Sequence, residues 1–167
     1  MSALIIAEHE VFRREFTALD DLSERELADA WEVLQAKLEV HAVAEEQLFY
    51  PLLARSAGGE DETAEGVREH NDIRHAVAAV GSQQVGSVDW WTAVRTARQV
   101  NADHVTEEET EFLPPFRDAV AREQREALGL RWLAFHDEHE QAAGLSGADA
   151  QVAEVVAAEV PAGEPSS

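Results

Sequence analysis

Apolar residues recur along this chain every three or four positions, and no run shows the alternation of a β-strand. That spacing lines one face of an α-helix, so the chain reads as helical almost throughout. Ile5, His9, Phe12, Phe16 and Leu19 make the first stripe. Ser23-Glu24-Arg25-Glu26 follows as a capping box, the start signal of a second helix. Its stripe is longer: Leu27, Trp31, Leu34, Leu38, His41, Glu45, Leu48 and Leu52. "SAGGEDE" then breaks the chain. The third stripe carries Gly66, His70, Ile73, Val77 and Val80 and ends at "GSQQVGS". The fourth reads Trp90, Val94, Ala97, Asn101, His104, Glu108 and Phe112. Proline lacks the N–H that a helix interior needs, so Pro51 is expected to disturb the second helix and Pro114-Pro115 to end or kink the fourth.

These stripes predict an all-α, up-down-up-down four-helix bundle over residues 1–122. Leu128, Trp132, Phe135, His139 and Ala142 keep the same period. They predict an additional C-terminal helix within residues 123–145, packed outside the bundle. Residues 146–167 are Ala-rich and acidic and close with "PAGEPSS", which predicts a largely disordered tail.

Charge narrows the partners. The 167 residues include 13 basic and 34 acidic ones, a formal charge of -21. Phosphate backbones and anionic lipids would be repelled, so the expectation is no nucleic acid and no membrane. The longest apolar run near the start, residues 3–7, is too short for a signal peptide or a membrane span. The chain has no cysteine, so thiolate sites are excluded and a reducing, cytoplasmic location is expected.

One phrase occurs twice. "HAVAEEQLFYP", residues 41–51, returns 63 residues later as "HVTEEETEFLP", residues 104–114. Glu8-His9 lies on the first helix and Glu69-His70 on the third, so each half offers one His and then His-x-x-x-Glu. Residues four apart share a helix face, so His41 with Glu45, and His104 with Glu108, point together into the bundle. Two buried ionised carboxylates would cost several kcal/mol each. No Lys lies on any stripe, and Arg74 alone cannot neutralise both. Metal ions can.

Imidazole and carboxylate without thiolate suit iron, manganese or zinc. The six donors His9, His41, Glu45, His70, His104 and Glu108 exceed the four of a closed zinc site. Two ions sharing both carboxylates would use them all, and a hydroxide bridge would lower the remaining charge. The chain has no Glu-x-x-His, so the ferritin-like di-iron pattern is disfavoured. Glu46, Glu107 and Glu109 read as solvated charge.

His9, His41-x-x-x-Glu45, His70 and His104-x-x-x-Glu108, with the "LFYP" and "EFLP" endings, resemble the hemerythrin-like HHE cation-binding domain over about residues 4–120. The resemblance implies a four-helix bundle holding two iron ions, oxo- or hydroxo-bridged. Glu45 and Glu108 would bridge them. His9 and His41 would belong to one iron, and His70 and His104 to the other. It also implies a small oxidant as partner: dioxygen, peroxide or nitric oxide.

The chain departs from the respiratory members of that family, which place two histidines one turn apart on the third helix. Here the positions one turn either side of His70 are Gly66 and Arg74. His75 is about 140° round the helix and a poor substitute. Tyr50 is the candidate for the open position. It lies on the wrong face of an ideal helix, but Pro51 disfavours α geometry at residue 50 and could let the side chain swing inward. A boundary tyrosine in water, or solvent at the metal, are the alternatives.

Arg74 reads either as a rim residue paired to Glu or as a donor to bound peroxide. Asn101 reads either as the supplier of a hydrogen bond behind His104 or as a single seam Asn that sets helix register. His136 reads as a surface residue and His139 as a packing residue. Trp31, Phe12 and Phe49 could line a gas or substrate pocket. The first functional reading is a di-iron oxidoreductase acting on a small oxidant. The second is a non-enzymatic carrier or sensor of oxygen, nitric oxide or iron. The third is an oxygenase with an organic substrate.

Overall fold

The computed structural model describes residues 1–158. Every regular element in that span is helical. Helix α1 (Ser2–Ala18) is joined by a short 3-10 turn, Leu19–Asp21, to α2 (Glu24–Ala44). The capping box that starts α2 forms, with the Ser23 N–H donating to Glu26 at 3.0 Å. Helix α3 (Tyr50–Ala57) continues α2 after one wide turn, and α4 (Glu60–Gly81) returns. Gly58 makes that reversal possible, since its φ of 66° is left-handed. Helix α5 (Val88–Glu107) is capped by Ser87, which accepts from the Trp90 N–H at 3.1 Å, and is continued by α6 (Leu113–Ala119).

These elements form an all-α bundle in which α2 with α3, and α5 with α6, act as two long bent helices. Helix α7 (Arg122–Glu138) packs against α2 from outside through Leu128 and Trp132, both buried. No helix among the described residues is long and apolar enough to cross a membrane.

The prolines do not end their helices. The turns Glu45–Phe49 and Glu108–Phe112 are π-helical, and the N–H groups of Tyr50 and Leu113 reach back five residues to the carbonyls of Glu45 and Glu108. Each proline then falls at the first turn of the following α-helix, where a missing N–H costs least. The extra residue in each wide turn rotates everything after it. Leu53 is therefore fully buried, and Leu52, which the 4-3 spacing puts on the core face, is only partly so.

Residues 146–158 also depart from the expected disordered tail. They fold back over the bundle as a strap ending in α8 (Val152–Ala157), with Val155 buried beside Leu53 and Val67 in one apolar cluster. Asn71 holds the strap by donating to the Ala150 carbonyl at 3.0 Å and accepting the Ala150 N–H at 2.9 Å. A short acidic segment can dock this way because Val152 and Val155 both face the bundle core. The expectation for residues 159–167 lies outside the described residues.

Two apolar clusters fill the bundle. One holds Ile5, Leu48, Phe49, Phe112, Phe116 and Trp132, and the other Phe12, Phe16, Trp31, Leu34, Leu38 and Trp90. On α1, His9 lies between Ile5 of the first and Phe12 of the second. Along α2 and the wide turn after it, His41 and Glu45 lie between Leu38 and Leu48. A single polar layer is thus enclosed between two dry ones.

Candidate metal centre

The polar layer contains all six expected donors. His9, His41, Glu45, His70, His104 and Glu108 are each at most 3% exposed. His9 comes from α1, His41 from α2, His70 from α4 and His104 from α5, while Glu45 and Glu108 open the two wide turns. Such turns frequently interrupt helices at functional sites.

Each imidazole turns Nδ1 outward to a carboxylate. His9 donates to Glu109 at 2.8 Å, His41 to Glu8 at 2.8 Å, His70 to Glu46 at 3.0 Å and His104 to Glu69 at 2.8 Å. The pattern repeats between the halves: Glu8-His9 corresponds to Glu69-His70, and Glu45-Glu46 to Glu108-Glu109. Glu46 and Glu109 are therefore not solvated charge. Glu46 is only 7% exposed, because the water beside it has been replaced by His70 and by Arg74.

Burial opposes a charge on His9, but Glu108 and Glu109 outweigh it and raise that group above its ordinary value, so His9 ligates by releasing a proton. A ring that is neutral with its proton on Nδ1 presents a lone pair at Nε2. These lone pairs face one another: His9 to His41 at 3.2 Å, and His70 to His104 at 3.1 Å. Glu45 Oε1 and both Glu108 oxygens have no hydrogen-bond partner. His9 Nε2 does lie 3.2 Å from Glu108 Oε2, but off the line that a hydrogen bond requires. Burial, and then the neighbouring Glu108, push the Glu45 carboxyl well above the usual range. Burial also opposes the Glu108 charge, but protons on the surrounding histidines, His9 first, outweigh it and pull the carboxyl below its usual range. Burial lowers His41 to about 4, so its ring stays neutral at pH 7 and free to ligate.

The unpaired lone pairs and carboxylate oxygens form a cradle for cations. Donor atoms of His9, His41, Glu45 and Glu108 lie within 4.8 Å of one another, as do those of Glu45, His70 and His104. Glu45 belongs to both groups, the position a bridging carboxylate needs.

Residues 1–116 match the hemerythrin HHE cation binding domain. The chain belongs to that family. The matched stretch ends within α6, so α7 and the strap are additions to the hemerythrin domain. Over 107 residues the hemerythrin-like chain is 27% identical to a DNA nickase of Nostoc sp. (strain PCC 7120), a stretch that is 64% of this chain and 30% of that protein. No solved structure matches the chain.

Tyr50 is fully buried and stands beside the centre. Its hydroxyl lies 3.4 Å from His70 Nε2, and the two rings stack at 5.3 Å. The route inward is not the expected one. Residue 50 keeps α geometry, with φ -60° and ψ -41°, and the wide turn before it, rather than Pro51, rotates it to the interior. Burial, then Glu108 and Glu45, raise the phenol well above its usual range, so without a cation it keeps its proton.

Arg74 turns away from the donors. Its guanidinium bonds Glu39 at 3.0 Å, Glu46 at 2.9 Å and Asn71 at 3.0 Å, which leaves nothing aimed at an oxidant. Its role reaches His70 only through Glu46. Asn101 is buried but makes no hydrogen bond to His104 among the described residues. His75 is exposed and pairs with Asp149 at 3.0 Å. Of the three aromatic candidates, Phe12 meets His41 edge-on at 5.0 Å, Phe49 packs on Phe116, and Trp31 packs on Trp90 in the far cluster. His139 stacks on Phe135 at 4.2 Å. His136 is not a surface residue: it is half-buried and bonds Glu8 at 2.9 Å.

Proposed function

We propose that His9, His41, His70 and His104, with Glu45 and Glu108 as bridges, hold two iron ions, and that Tyr50 or solvent fills the remaining position. The observation that carries this reading is the set of converging Nε2 lone pairs and partnerless carboxylate oxygens in a dry layer. Iron would supply redox chemistry with a small oxidant, dioxygen or peroxide. The chain's residues supply the rest. The four outer glutamates fix the tautomer and orientation of each histidine. The apolar clusters on either side exclude bulk water and strengthen every charge interaction between them.

A second reading, an oxygenase with an organic substrate, is favoured by one feature. A cavity of about 400 Å³ between α2 and α4 reaches His70, walled by Leu38, Ala42, Ile73 and Val77 and roofed by Leu145 and Ser146. Nucleic acid is not part of either reading. The stretch similar to the nickase is 30% of that protein, and a net charge of -21 opposes a phosphate backbone.

The test is metal analysis with an optical spectrum of the purified protein. About two irons per chain are expected from the donor set. One zinc and no iron would overturn the reading.

A further inference from the structure

Helix α7 lies outside the stretch matched to the family, yet two of its side chains end on the outer layer of the metal centre. Trp132 Nε1 donates to Glu8 Oε1 at 2.6 Å. His136 Nε2 donates to Glu8 Oε2 at 2.9 Å, and the same oxygen accepts from His41 Nδ1 at 2.8 Å. The Trp132 and His136 rings stack at 4.9 Å, and Trp132 also meets the His41 ring edge-on at 5.6 Å. His136 Nδ1 donates to the Trp132 carbonyl at 2.9 Å. Both nitrogens of His136 face acceptors, so this arrangement holds it as the imidazolium.

The other three imidazole–carboxylate pairs are backed differently. Glu109 takes Arg13 at 2.9 Å and Glu46 takes Arg74 at 2.9 Å, both permanent cations. Glu69 has no basic partner besides His104 among the described residues. The four pairs look alike from inside the centre but differ one layer out. Only the Glu8 pair is governed by a helix that the family match does not include.

We propose that Trp132 and His136 are positioning residues of the metal centre, acting through Glu8 to set how strongly His41 donates to its cation. The inference rests on reading the polar layer as a metal site. A carboxylate behind an imidazole strengthens it as a ligand by drawing on the Nδ1 proton. Glu8 already accepts from Trp132 and His136, so its charge is spread and it draws less from His41. Taking those donors away makes Glu8 a stronger base and His41 a stronger donor, which favours the oxidised metal.

The test uses the full chain loaded with iron. His136→Phe and Trp132→Phe should each shift the midpoint potential downward, and should raise the preference for iron(III) over iron(II) by roughly tenfold. His136→Gln, which can still donate to Glu8, should restore part of the shift. Neither Phe substitution should add a shift in a Glu8→Gln background, which a merely structural role would not predict. His139→Asn, on the same helix end without a contact to Glu8, is the control and should match the parent. Trp132→Phe keeps a ring in the core and remains readable if His136→Phe does not fold. In the metal-free protein, nitrogen NMR should show His136 as an imidazolium at neutral pH, and Glu8→Gln should abolish that signature. Variants that bind iron with the parent's affinity and potential overturn this inference alone. A parent protein that takes up no metal overturns it together with the metal reading.

Discussion

The Tyr50 hydroxyl occupies the space that a side chain on Gly66 would fill. A Cβ built at residue 66 would collide with that oxygen, closer than real Cβ contacts come, and would also press on Phe112 at 3.1 Å. Residue 66 is one turn before His70, one of the two positions where a further histidine could stand. The other half of the repeat solves the same packing problem in reverse. There Ile5 corresponds to Gly66 and Leu113 to Tyr50, and both are buried in the same apolar cluster. A missing side chain on α4 is thus matched by a large one from the end of the wide turn.

Two outcomes follow from that exchange. If the phenolate binds ferric iron, the oxidised protein is coloured and Tyr50→Phe bleaches it. Gly66→Ala should mimic the loss of colour by displacing Tyr50, and should destabilise the fold by roughly 1–3 kcal/mol through overpacking. The double substitution should relieve only the clash with the hydroxyl, because the ring Cζ that phenylalanine keeps also stands 2.6 Å from that Cβ. Spectra and denaturation midpoints of the three variants decide this. An unchanged spectrum in Tyr50→Phe removes the tyrosine from the site.

Glu45 makes the metal-free protein sensitive to rising pH. Its carboxyl is raised above the ordinary 4.5 by burial and by Glu108. A group raised in the folded state contributes stability that is full below its unfolded value and lost as pH climbs through the folded one. Unfolding of the metal-free protein should therefore become easier as pH rises above about 4.5. Glu45→Gln should flatten that dependence, and should also lose iron. Denaturant titrations across pH, with and without metal, measure both effects.

Glu8 acts in the opposite direction. Although burial would raise it, hydrogen bonds from His136 and His41 hold it down to about 2, from an ordinary 4.5. A group lowered in the folded state contributes stability above its unfolded value and loses it as pH falls through the folded one. The interval from 4.5 down to about 2 is where this loss occurs, at most about 3 kcal/mol. Acid unfolding of Glu8→Gln should lack that portion of the pH slope.

Arg74→Ala should damage the centre indirectly. Removing the guanidinium leaves Glu46 and Glu39 without their cation and Glu46 free to leave His70. Loss of one partner of a buried pair costs roughly 3–5 kcal/mol. The expected result is a lower melting temperature and weaker iron retention. A stable protein with full iron and slowed peroxide turnover would instead show that the arginine reaches the oxidant.

Reaction and carriage are separable by experiment. If the six donors hold two irons as proposed, four histidines would leave one metal position to Tyr50 or solvent, where an oxidant could displace a weak ligand. Hydrogen peroxide should be decomposed by the iron-loaded protein, and no long-lived oxygen complex should form. An oxygen adduct discharged intact by lowering the oxygen pressure would favour a carrier.

The sequence by itself determined the bundle and its six inward donors. A residue's helix face follows from spacing alone, and a carboxylate or imidazole in an apolar stripe must face the core with the rest of it. Spacing stopped being a guide where the helix stopped being regular. The wide turns at Glu45–Phe49 and Glu108–Phe112 add a residue that no periodic pattern counts, so Leu53 rather than Leu52 turned inward, and Tyr50 did so by the wide turn rather than by the Pro51 route that the sequence suggested. The outer layer was hidden for a different reason. Glu46 and Glu109 sit on the polar side of their own helices, and on one helix that side means water. Only the packing of other helices puts His70 and His9 there, and only the fold brings His136 to Glu8 across 128 residues of chain. A charged side chain's surroundings belong to its neighbours in space, and those are decided when the helices assemble.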